Sequence, residues 1–173
     1  MKKEKKNNSV PWYIWPIIVV ALPFLFAIVV VYLVAFAITR ISLYLLVWTL
    51  WCPRGRNVLY VYSDSPIWKE HIETRILPHF SDSVIVLNWS HRKRWSPSLA
   101  RAVFGHFGGG REFNPLALVF RPFHRRIDFR FWKAFHAWKK SKVDDLERME
   151  REFLGLLDDL GQLKGEQAGR GNE

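Results

Sequence analysis

Cysteine is nearly absent from this chain. The single Cys52 excludes an internal disulfide and fits a reducing compartment. Charge is missing from a long stretch: between Val10 and Pro53 the only formally charged side chain is Arg40. Acidic residues are scarce further on, with only Glu112 and Asp128 against twelve Lys and Arg between Arg92 and Lys140. The usual catalytic signatures are also missing. The glycines at 108–110 match neither nucleotide-binding spacing and follow a predicted helix rather than a strand, which suits a helix end and turn. No G-x-S-x-G elbow occurs. The six histidines include no HExxH pair and have no cysteine partner at zinc spacing, so neither a metal site nor a cofactor is expected. Whether the chain is an enzyme stays open at this level.

What is present is segregated. Residues 15–39 carry no charge, and a bilayer core about 30 Å thick needs about 20 helical residues. A cleaved signal peptide has an apolar core of about 7–15 residues, so this longer run reads as a retained anchor behind a basic tail over 1–9. The anchor region covers 10–53. Trp12, Tyr13 and Trp15 suit one membrane interface, and Trp48 and Trp51 a second, where Arg54 and Arg56 would meet headgroups. Trp15 to Trp48 spans about 50 Å of helix, too long for one upright crossing. Three arrangements follow. A helix over 16–39 spans and 41–52 continues in the interface or packs under the following domain; the stretch is a hairpin with both ends in the cytosol; or one long tilted helix crosses. No Gly, Asn or Asp interrupts the stretch to make a turn, which favours the first, a single-pass protein. The basic character of the following domain and its lack of paired cysteines favour the cytosolic side for it.

After the Pro-Arg-Gly-Arg break, VLYVY (58–62) has the continuous apolar character of a strand covered on both faces. A helix over about 66–77 and the run VIVLNW (84–89) complete a strand–helix–strand unit, which predicts a parallel crossover. A short helix over 96–107 and a third strand, LALVF (116–120), follow. RIDFRF (126–131) alternates as an edge strand or extended connection, and 132–140 reads as helix. The expected fold is α/β: an N-terminal transmembrane helix, a small three-layer domain over 54–140 with about three parallel strands, and a C-terminal amphipathic helix over 141–164. Ser141 and Asp144 resemble a capping box for that helix, and residues 165–173 form a polar tail. Its apolar residues Leu146, Met149, Phe153, Leu156 and Leu160 alternate at spacings of 3 and 4. That pattern either lies on the domain or pairs copies into a homo-oligomer.

In parallel α/β sheets ligands collect at the carboxyl ends of the strands. That places a candidate ligand site at Ser63, Asp64, Ser65, Asn88, Ser90, Arg92 and Arg94, joined by the Arg121–Arg126 loop. An anionic small molecule would suit this rim; equally, Ser63, Asp64 and Ser65 suit plain helix caps. Basic residues interleaved with Trp and Phe over 92–140 also suit the lipid bilayer, and the short connection from Trp51 to the first strand keeps the domain near it. Nucleic acid is disfavoured, because the region from Arg54 onward carries 21 Lys and Arg against 15 Asp and Glu and no known motif. The two functional expectations are a membrane-held binding or assembly module, and an enzyme or nucleotide-type binder for a phosphorylated ligand.

Overall fold

The structure, a computed structural model, describes residues 15–109, 114–140 and 144–162. The basic tail, Trp12 and Tyr13, Gly110, the Ser141 cap and the C-terminal tail lie outside the described residues. The chain divides into two compact units, one up to Ser42 and one from Leu43 onward.

Helix α1 runs without interruption from Trp15 to Leu46, with Pro23 inside it, and its last residues belong to the second unit. In the first unit, Leu22, Phe24, Leu25, Phe26, Ile28, Val31 and Tyr32 are all exposed. They lie all around the helix, and a helix apolar on every side suits a lipid environment. The Thr39 hydroxyl, near its end, donates back to the Ala35 carbonyl at 2.9 Å. With the turns that follow α1, Val19–Arg54 is long and apolar enough to cross a membrane. No turn of the kind a hairpin needs occurs within α1.

The second unit starts with the end of that helix. A wide turn (Val47–Trp51) and a tight one (Cys52–Arg54) carry the chain to Gly55, whose φ of 70° closes the helical run. There the Gly55 amide donates to the Cys52 carbonyl and the Arg56 amide to that of Trp51, both at 3.0 Å. Glycine adopts this left-handed geometry without a Cβ penalty. Leu43, Val47 and Trp51, spaced four apart on one helical face, are buried. They pack with Leu59, Val61, Leu116, Leu118 and Phe120 of the domain. The compact unit thus begins well before Arg54.

Four strands follow: β1 (Val58–Tyr62), β2 (Ile85–Asn88), β3 (Leu116–Val119) and β4 (Ile127–Arg130), in the order β2-β1-β3-β4. β1 and β2 are parallel, with Tyr62 opposite Asn88. β3 is antiparallel to β1, with Val58 opposite Val119, and β4 is antiparallel to β3. The sheet is therefore mixed, and the expectation of three parallel strands is corrected. Burial on both faces reflects the layers above and below a strand, not its direction. β3 is buried at every position because it lies between two strands and two helical layers. β2, read from its apolar run as a core strand, is an edge strand with Val86 exposed.

On one face lie the end of α1 and helix α3 (Leu99–Phe107), whose N-terminus is capped by Ser98 Oγ accepting from the Arg101 amide. On the other lie the helical segment beginning with α2 (Lys69–His71), then α4 (Trp132–Trp138) and α5 (Asp144–Asp159). β1 serves both faces by strict alternation: Val58, Tyr60 and Tyr62 face one, Leu59 and Val61 the other. α5 is laid along the sheet, with Leu146, Phe153 and Leu157 buried and Met149, Leu156 and Leu160 half-buried against the same cluster. His71 Nε2 and Glu150 Oε1, 2.6 Å apart, tie α5 to α2. Past α5, buried Gln162 accepts from Ser83 Oγ at 2.9 Å and donates to the Gly55 carbonyl at 2.6 Å, pinning three turns together.

Candidate functional site

Because β1 and β2 are parallel and adjacent, their carboxyl ends deliver Ser63–Ser65 and Asn88–Arg94 side by side. Asn88 Nδ2 donates to Asp64 Oδ1 at 3.0 Å, and Asn88 Oδ1 accepts from the Ser90 amide at 2.9 Å. Ser90 Oγ in turn accepts from the Asp64 amide at 2.9 Å, which closes a ring of three hydrogen bonds. Lys69 Nζ stands 3.1 Å from Asp64 Oδ1, and His91 Nε2 stands 3.5 Å from Oδ2. The Asn88 amide, then Lys69, hold the Asp64 carboxyl below its ordinary range, so it is ionised at neutral pH. Ser63 Oγ accepts from the Trp68 indole at 3.3 Å, and Ser65 Oγ accepts from the Ile67 amide at 3.4 Å. Ser63 and Ser65 thus bond within their own loop, whereas Asp64, Asn88 and Ser90 bond one another. These three form a clasp between two loops.

The clasp positions what comes next. The chain after Asn88 winds tightly through Trp89–Arg94, and Trp95 Nε1 donates back to the Asn88 carbonyl at 3.1 Å. Trp89, Trp95 and Phe104 then meet edge to face, with centroids 5.3 to 5.8 Å apart. Beside them opens a groove of about 380 Å³ lined by Trp89, Arg92, Trp95, Arg101, Phe104, Gly105 and Gly109. Arg92 lies over the Trp89 ring at 4.9 Å and donates to the Trp89 carbonyl at 3.4 Å, while Arg101 donates to the Trp95 carbonyl at 3.3 Å. No carboxylate pairs with either arginine among the described residues. Arg94 is exposed and does not line the groove.

Of the expected rim, Arg92 reaches this groove and the clasp residues stand behind it. The Arg121–Arg126 loop does not join them. β3 runs antiparallel to β1, so its end lies beside the start of β1, where the Phe120 amide donates to the Asn57 carbonyl at 2.8 Å. Arg101 and Gly105 were not legible as site residues; the one available signal is their spacing of four on α3, which puts a cation and an open position on one helical face.

The second loop forms a different surface. Phe123 is 87% exposed and has a φ of 61°, a conformation a bulky residue rarely adopts. Its ring lies 5.3 Å from that of Trp48. Arg125 and His124 are exposed beside it, whereas Arg126 is engaged by Asp128 at 2.6 and 2.9 Å. Arg54 and Arg56 are exposed at the end of the same helical run that carries Trp48. Trp51, expected at the interface, is instead a core residue, because the helix face it shares with Val47 turns toward the sheet. No family model, curated protein or solved structure matches the chain.

Proposed function

We propose that the chain is a single-pass, membrane-anchored binding or assembly module whose α/β domain is held on the cytosolic surface of the bilayer. The observation that carries this reading is the continuity of α1 with the domain core: Leu43, Val47 and Trp51 are core residues, and Ser42 adjoins them directly. The apolar stretch and the core residues adjoin in the sequence, so the chain's short reach keeps the domain near a membrane that surrounds that stretch. The loop bearing Phe123, Arg125 and His124, together with Arg54 and Arg56, supplies the contact. Cations near anionic headgroups contribute about 1 kcal/mol each, and aromatic rings favour the same depth. The left-handed backbone of Phe123 supports a functional role, because such conformations of bulky residues cluster at functional sites. The absence of paired cysteines supports the cytosolic side.

The test is hydrogen exchange of the full-length protein in nanodiscs of neutral or anionic lipid. Peptides covering 121–126 are expected to exchange about fivefold more slowly per engaged arginine in anionic discs at low salt, with the difference lost at high salt. Equal exchange in both lipids at low salt contradicts the proposal.

A further inference from the structure

We infer that the groove between Trp89–Trp95 and α3 is a binding site for a soluble phosphate ester with a planar aromatic body, of the size of a nucleoside monophosphate. The site is distinct from the lipid-facing surface proposed above. It lies with the carboxyl ends of β1 and β2, whereas the Phe123 loop lies at the amino end of β1. Its volume of about 380 Å³ falls in the range of small-molecule pockets, about 300–1,000 Å³.

Its chemistry has two halves. Trp89, Trp95 and Phe104 present aromatic surface, to which planar bases adhere by stacking. Arg92 and Arg101 supply the charge. Each uses one nitrogen on a backbone carbonyl, a contact that orients the guanidinium and leaves its charge and most of its donors for an anion. Phosphate accepts such forked donors well. The clasp of Asp64, Asn88 and Ser90 gives the groove a fixed wall, because it sets the turn that carries Trp89, Arg92 and Trp95. Gly105 lines the groove from an exposed position, and a Cβ added there meets nothing within 4 Å. A side chain at this position can fill the groove without disturbing the core.

The experiment uses full-length protein in uncharged detergent, titrated by calorimetry with adenosine and cytidine monophosphates, adenosine, inorganic phosphate, and micelles containing phosphatidic acid. At least one monophosphate is expected to bind saturably and at least about tenfold more tightly than adenosine or phosphate alone. Arg92→Gln and Arg101→Gln are each expected to weaken it about tenfold or more. Gly105→Leu is expected to abolish it while leaving thermal stability intact, since leucine is the better helix former. Three results overturn the assignment: no saturable binding of either monophosphate; binding within twofold of wild type in Gly105→Leu and in the Arg92→Gln, Arg101→Gln double variant; or groove-dependent binding of phosphatidic acid with none of the monophosphates.

Discussion

A fragment beginning at Arg54 is expected to be unfolded or aggregated, and Trp51→Ala in the full-length protein is expected to lose about 3–5 kcal/mol of domain stability. The reason is the layer formed by residues 43–51. Trp51 is 7% exposed, and its ring stands 6.2 Å from that of Phe120, edge to face. Leu43, Val47 and Trp51 together cover Leu59, Val61, Leu116 and Leu118. Removing them exposes to water the part of that face that α3 does not cover, and a Leu→Ala change alone in such a place costs about 2–5 kcal/mol. Whole domains have only about 5–15 kcal/mol in total, so loss of the entire layer reaches that scale. Circular dichroism and chemical denaturation of fragments starting at Leu43 or Arg54, held in mild detergent, check this. A cooperative transition with the same midpoint in both fragments refutes it.

Phe153→Ala is expected to be as damaging, and from the opposite face. The ring is fully buried, with centroid distances of 5.8 Å to Tyr60, 6.0 Å to Phe80, 5.2 Å to Phe129 and 5.7 Å to Phe131. Truncating a buried phenylalanine costs about 3–5 kcal/mol, and aromatic pairs add to what area alone provides. The same helix offers an internal control. A straight helix lying on a sheet follows the 3.6 period, so Leu146, Phe153 and Leu157 share the buried line while Leu156 stands beside it. Leu157→Ala is therefore expected to destabilise clearly more than Leu156→Ala. Urea midpoints that rank these two in the opposite order contradict the placement of α5.

These particulars mark how far the chain could be read before its structure. The central strand was legible in VLYVY, whose five positions are all buried, and the crossover to β2 was legible because turn residues and a helix-length segment separate two apolar runs. The direction of β3 was not, since LALV carries the same apolar signal whichever way it runs. That single reversal moves Arg121, Arg125 and Arg126 to the other end of the sheet from Asp64. The junction at 41–52 was legible as helix, but which of its tryptophans faces inward depends on how the helix meets the sheet. Trp48 meets Phe123 at the surface and Trp51 meets Phe120 in the core. Asp64, Asn88 and Ser90 were legible as a cluster. Their mutual satisfaction was not, because it depends on backbone amides that no residue type announces. Gln162 escaped notice for the same reason, its amide nitrogen being held by the Gly55 carbonyl.

The most direct test of a retained, domain-continuous anchor is the behaviour of the full-length protein in isolated membranes. After an alkaline wash the protein is expected to stay in the membrane pellet, to leave it only with detergent, and to give an intact mass that includes residues 10–53. Release into the aqueous fraction, or a mature chain cleaved ahead of Leu43, contradicts it.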